Sequence, residues 1–160
     1  MKRPRDEDWA WGYVSRLLSF RPRTEAELRS RLALKGCEEK LIDRVIARAK
    51  AEGLVDDRLF ARLYAEDRLL GRPCSRGMLA RELRAKGVSR EVAERAAAEV
   101  LPELDERALA ERALEGRLSL WQGLPDEVRK RRAYAFLLRR GFSPELAREL
   151  VEEIVGGGDG

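Results

Sequence analysis

From Trp9 the apolar residues Trp9, Tyr13, Val14, Leu17 and Leu18 recur at helical spacing, which predicts a first helix. It ends near Phe20, because Pro22 disfavours helical geometry at Arg21. Thr24 opens a second helix, and Thr24 with Glu27 fits a capping box. Leu28 and Leu32 mark its buried face. Gly36 is expected just past its end in the left-handed conformation, with Lys35 favoured in the last turn by the helix dipole. A third helix, about 38–52, carries Leu41, Ile42, Val45, Ile46 and Ala49 inward and stops at Gly53.

The pattern then restarts. Asp56 caps a fourth helix, with Asp57 in its first turn. Leu59, Phe60, Leu63, Tyr64, Leu69 and Leu70 are its apolar side, and Arg72-Pro73 ends it. Ser75 caps a fifth helix with Met78, Leu79 and Leu83 inward, closed by Gly87. Ser89 caps a sixth with Val92, Ala93, Ala96 and Val100 inward. A seventh helix, about 103–118, carries Leu109, Ala113 and Leu114, and a looser connection over 119–125 contains Trp121 and Gly123. Asp126 caps the eighth, with Val128, Ala133, Phe136 and Leu137 inward up to Gly141. Ser143-Pro144 opens the ninth, an N-cap followed by proline at the first helical position, with Leu146, Leu150, Val151 and Ile154 on its face.

Aligned on the helix-ending glycines, Lys35-Gly36, Lys86-Gly87 and Arg140-Gly141 coincide, with offsets of 51 and 54 residues. Leu32, Leu83 and Leu137 stand four residues before the glycine, and Leu41, Val92 and Leu146 five after it. Arg21-Pro22 matches Arg72-Pro73, and Thr24 matches Ser75. Coincident caps, cores and stops mark a tandem repeat. The expected fold is all-α: three tandem three-helix (helix-turn-helix-like) repeats forming an elongated, curved array. The units span 9–53, 54–101 and 102–155, between a flexible arm (1–8) and a disordered tail (156–160). Units this small are expected to share apolar surface with their neighbours.

Composition agrees with helices. Of the 160 residues, 44% are hydrophobic, 39% charged and only 6% aromatic, a balance that suits charge-laced helices and disfavours sheets. The net charge of +4 is modest, since 29 acidic residues are interspersed among 33 basic ones. It permits contact with nucleic acid or an acidic protein surface. No N-terminal apolar run and no apolar stretch near ~20 residues occurs, so neither a signal peptide nor a membrane span is expected. Two cysteines make no disulfide framework, and the expectation is a cytoplasmic protein with reduced thiols.

Chemistry for catalysis is sparse. The chain has no histidine, the commonest general base and metal ligand. Cys37 stands where the other copies have Val88 and Phe142, so it reads as a core residue. Cys74 precedes a helix cap, a place open to exposure, but no partner base stands beside it. Asp56 and Asp57 are accounted for by the helix start rather than by a metal, and the glycines form no phosphate-binding loop. No enzyme activity, metal or cofactor is expected.

The basic residues say more. Arg21, Arg23 and Arg29 lie at or in the second helix, and Arg72, Arg76, Arg81 and Arg84 at or in the fifth. Arg129, Lys130, Arg131, Arg132 and Arg139 lie in the eighth. With Leu79 inward, Arg81 and Arg84 lie about 200° and about 140° away, toward solvent. For any single arginine a solvated face balanced by glutamates is the simpler account. Recurrence in every unit points to a binding surface.

The run Phe20-Arg21-Pro22-Arg23-Thr24-Glu25-Ala26-Glu27-Leu28, the segments Leu32 to Gly36 and Gly53-Leu54-Val55-Asp56-Asp57-Arg58-Leu59-Phe60-Ala61, then Leu79 to Gly87 and Arg139-Arg140-Gly141-Phe142, together resemble the RecX family of bacterial recombinase regulators. The resemblance covers about residues 9–155. It implies a cytoplasmic, monomeric, non-enzymatic modulator of the RecA recombinase, acting in DNA repair, recombination and the SOS response. Such proteins bind in the groove of the RecA filament on DNA, restrain its growth, and so inhibit strand exchange, ATPase and coprotease activities. The residues alone leave open an autonomous DNA-binding repeat protein or a generic helical scaffold, although the second helices share no Asn/Gln/Arg base-reading pattern.

Overall fold

The computed structural model describes residues 5–156. Among these the chain forms nine α-helices and no strand: α1 (Glu7–Phe20), α2 (Glu25–Leu34), α3 (Glu39–Ala51), α4 (Asp57–Gly71), α5 (Arg76–Ala85), α6 (Arg90–Glu99), α7 (Glu106–Leu118), α8 (Asp126–Arg139) and α9 (Pro144–Ile154). A 3-10 turn, Ser119–Trp121, follows α7. The helices fall into three units of three. Residues 1–4 of the arm and 157–160 of the tail lie outside the described residues. The rest of the arm is more ordered than expected: Asp6 caps α1, and the Arg5 guanidinium lies 3.9 Å from the Trp9 ring centroid.

Local signals placed most helix ends. Thr24, Asp56, Ser75, Ser89 and Ser143 each accept a backbone N–H from the first turn of the helix they open. The capping box at α2 is half made. Thr24 accepts from Glu27 N–H, but the Glu27 carboxylate turns to Arg21 and Arg23 instead of back to Thr24. At α8 the capping position is Pro125, and Asp126 is the first helical residue.

The predicted inner face of α4 is rotated. Ala61, Ala65 and Leu69 are buried, whereas Leu59, Leu63 and Leu70 are 40%, 48% and 56% exposed. Ala61 and Ala65 lie in the core shared with α6, on which α4 packs, and Phe60 and Tyr64 are partly buried against the same core. Cys74 is fully buried rather than exposed, and burial pushes its thiol up to about 11. At pH 8 only a minute thiolate fraction exists, and the thiolate is the reactive form. Cys37 is also buried with its pKa raised by burial. A disulfide reagent is therefore expected to modify both thiols at least ~100-fold more slowly in the native protein than in urea. Comparable rates in the two states would contradict the buried placement.

Two separate cores form. Val14, Leu28, Leu32, Leu41, Val45 and Ile46 pack together in the first unit, joined by Val55 from the segment leading into α4. Units two and three share a second core that includes Leu69, Leu79, Leu83, Leu109, Leu137 and Leu150. The expected sharing of apolar surface is extensive between units two and three, while unit one keeps its own core, which Val55 of unit two enters. Full burial of a leucine contributes about 1.5–3 kcal/mol, so the two buried leucines each of α2 and α5 orient these short helices on the core.

The second helices of the three units meet end to end. The C-terminus of α5 abuts the N-terminus of α2, where the Thr24 hydroxyl donates to the Lys86 carbonyl at 2.6 Å. The C-terminus of α8 abuts the N-terminus of α5, where Ser75 N–H donates to the Arg140 carbonyl at 3.0 Å. A methyl on Gly87 would overlap the Ala26 methyl, and one on Gly141 would stand 2.5 Å from Ser75 Oγ. These glycines therefore set the closeness of the units as well as stopping helices. The first helix of each following unit also caps the preceding second helix: Asp57 accepts Glu25 N–H and Glu106 accepts Arg76 N–H, both at 3.0 Å.

Candidate interaction surface

The abutting helices α2, α5 and α8 carry most of the basic residues singled out from the sequence. Buried leucines fix which side of each helix turns outward. On α5, Leu79 and Leu83 point in, and Arg81 and Arg84 are exposed as the helical angle predicted. On α8, Ala133, Phe136 and Leu137 point in, leaving Arg131, Arg132 and Arg139 exposed. Arg31 of α2 and Arg72 at the end of α4 are also exposed. Among the described residues none of Arg31, Arg72, Arg81, Arg84, Arg131, Arg132 and Arg139 forms a salt bridge.

The other candidates are engaged within the protein. Arg21 is exposed but paired with Glu27. Arg29 reaches Asp43 at 2.7 Å and Glu25 at 3.9 Å. Arg129 meets Asp126 at 3.9 Å, and Lys130 meets Glu152 at 3.4 Å. These four retain exposed area but have part of their charge offset.

Two of the residues predicted for the surface are structural. Arg23 is only 9% exposed: it pairs with Glu27 at 2.8 Å, and its Nε is buried without a hydrogen-bond partner. Burial alone would raise the Glu27 pKa, but the hydrogen bonds and charges of Arg21 and Arg23 outweigh it and hold the carboxyl below its usual value. Arg76 is turned into the protein. Its Nη1 donates to the carbonyls of Ala97 and Val100 at 2.6 and 2.8 Å, and its Nη2 to those of Leu101 and Leu104 at 2.7 and 2.6 Å. It thereby closes the C-terminal end of α6 and orders the connection to α7, in which Leu101 has a positive φ of 49°. The helical angle said where Arg76 starts. It could not say that a helix end and a loop stand within reach.

Sequence reasoning also left aside a second group, at the junction of units two and three. Arg68 pairs with Glu82 at 3.1 Å and donates to the Arg72 carbonyl. Arg140, read from sequence as a helix-end cation, donates to the Pro73 carbonyl at 2.9 Å. Arg140 and Arg117 both stand against the Phe136 ring, at 4.7 and 5.0 Å from its centroid. The recurring cation before the glycine is the signal that could have found this place. Lys35 and Lys86 lie over Tyr13 and Tyr64 of their own first helices at 5.7 and 5.2 Å, and Arg140 has moved to Phe136.

Among the described residues no group of three or more potential metal ligands converges, and no helix is long and apolar enough to cross a membrane.

Comparison with known proteins gives the same three-unit division. Three family models match the chain, the first, second and third three-helix domains of RecX, over residues 10–48, 56–96 and 105–151. A regulatory protein RecX of Thermobifida fusca is 40% identical over 138 residues, covering 86% of this chain and 74% of that one. One from Mycobacterium ulcerans is 41% identical over 152 residues, covering 92% of this chain and 86% of that one. Among solved structures, RecX from Lactobacillus salivarius superposes with a TM-score of 0.72 at 19% identity, covering 93% of this chain and 96% of that one. A second crystal structure of a regulatory protein RecX gives a TM-score of 0.71 at 20% identity, over 94% of this chain and 71% of that one. With all three domain matches in order along a chain of three helical units, this protein belongs to the RecX family of regulatory proteins.

Proposed function

We propose that this protein binds the RecA filament assembled on DNA and restrains it, lowering its recombinase, ATPase and coprotease activities. In this reading it acts as a cytoplasmic monomer, without catalysis of its own. The observation that carries the reading is the abutment of α2, α5 and α8, whose exposed Arg31, Arg81, Arg84, Arg131 and Arg132 lie on successive units and form no salt bridge among the described residues. Guanidinium groups suit planar contacts to carboxylates and phosphates. Surfaces on consecutive units can engage neighbouring protomers and DNA phosphates together, so avidity favours a filament over a free subunit.

The test is RecA-dependent ATP hydrolysis on single-stranded DNA. Stoichiometric wild-type protein is expected to depress it. The variant Arg81→Glu, Arg84→Glu, Arg131→Glu, Arg132→Glu should need roughly tenfold more protein for the same effect, with unchanged helical circular dichroism. Unchanged hydrolysis with wild-type protein would reject the reading. Tight, salt-steep and sequence-selective binding to naked DNA would favour an autonomous DNA-binding protein instead.

A further inference from the structure

The junctions between units are built alike but are charged differently. At the first junction Arg21 is neutralised by Glu27. Fifty-one residues on, Arg72 stands in the place of Arg21, and Met78 in the place of Glu27. The carboxylate is gone while the arginine remains.

More positive charge gathers there. Arg140 bonds the Pro73 carbonyl beside Arg72, and Arg117 shares the Phe136 ring with Arg140. The nearby acids are occupied: Glu82 takes Arg68 and the Tyr64 hydroxyl, and Glu106 caps α5. Arg72, Arg117 and Arg140 therefore have no salt-bridge partner among the described residues. Their crowding has an electrostatic cost. The Arg140 guanidinium is held below its usual pKa by burial and then by the charges of Arg68, Arg72 and Arg117.

We propose that Arg72, Arg117 and Arg140 form an anion site at the junction of units two and three, which takes a backbone phosphate of a DNA strand. Each charged oxygen of a diester phosphate accepts more than one N–H, so guanidinium groups from three helix ends can share one phosphate. The site lies where α8 meets α5, helices that also carry the exposed Arg81, Arg84, Arg131 and Arg132, and a polyanionic strand can engage several such cations along its length. The inference rests on the reading that this surface meets DNA on the filament.

Met78→Glu tests it without removing any arginine, by restoring the carboxylate that unit one has. Met78→Gln keeps the shape without the charge. Binding of fluorescein-labelled oligo(dT) to the full chain is measured over a series of salt concentrations. Met78→Glu, and separately Arg72→Gln with Arg117→Gln, should bind roughly fivefold more weakly at low salt, with a log–log salt slope shallower by about 0.7 for each phosphate no longer neutralised. Met78→Gln should match wild type. Equal behaviour of Met78→Glu and Met78→Gln, or no binding of oligo(dT) by wild type, overturns the site. Binding of labelled polyglutamate in place of oligo(dT), abolished in Met78→Glu, would give the site to an acidic protein segment and overturn the phosphate assignment. Failure of the broader reading is separately visible, as wild-type protein that leaves RecA ATP hydrolysis unchanged.

Discussion

Arg76→Ala is expected to lower the stability of the protein by about 3–4 kcal/mol, among the largest losses available from a single side chain. The guanidinium donates to four carbonyls, those of Ala97, Val100, Leu101 and Leu104. Ala97, Val100 and Leu104 are buried residues, so loss of the donor strands acceptors in a place with little access to water. The same cation sits at the C-terminal, negative end of the α6 dipole. Leu101 is held at positive φ with its carbonyl bound by Arg76, and a bulky residue tolerates that conformation only when its surroundings impose it. Arg76→Lys is expected to recover less than half of the loss, because an ammonium lacks the fork that reaches four acceptors. For a domain of this size the alanine change corresponds to roughly 6–16 °C in melting temperature. Thermal and urea unfolding read the effect directly. A shift under about 1 kcal/mol would show that solvent takes over the four carbonyls and that the cage is incidental.

Gly87→Ala is the second large effect, and Gly36→Ala is its control. Both glycines have positive φ, 96° and 87°, so alanine costs about 1 kcal/mol at either from the backbone alone. At Gly36 the new methyl meets nothing within 4 Å. At Gly87 it overlaps the Ala26 methyl, which is fixed on α2 and cannot swing aside. Relief requires the joint between units one and two to open, with loss of the Thr24–Lys86 hydrogen bond. We expect about 2–4 kcal/mol at Gly87 against about 1 kcal/mol at Gly36. Because unit one has its own core, the Gly87 variant should also release it as a separate early transition, visible as faster amide exchange at Glu25 and Glu27. Equal costs at the two glycines would mean that the units do not touch there.

The helices were legible because their signals are local. Apolar spacing, caps such as Ser75 and Ser89, and terminating glycines act within one or two turns, and a chain of short helices repeats them often enough to be aligned. Misreadings came where two sides of a helix were apolar. On α4 the alanines Ala61 and Ala65 lie in the core shared with α6, and Leu63 and Leu70 were left outside. Periodicity identifies an apolar side, but a helix with two of them is oriented by its neighbour. Where each arginine side chain goes was less legible than the helices for a related reason. A long arginine can reach solvent, a carboxylate or a helix end from the same backbone position.

The sequence by itself determined that the chain is a helical array of three alike units, and that the second helix of each is rich in arginine. Tertiary structure decided which arginines are free. Arg23 and Arg76 look like Arg21 and Arg72 in the sequence, yet Arg23 is buried beside Glu27 and Arg76 closes the end of α6. Their partners lie on the following turn in one case and more than 20 residues away in the other. The end-to-end joints, through Thr24 and Lys86 and through Ser75 and Arg140, were likewise invisible. Propensity, capping and period are properties of a short segment, whereas charge pairing and close approach depend on which distant segments packing brings together.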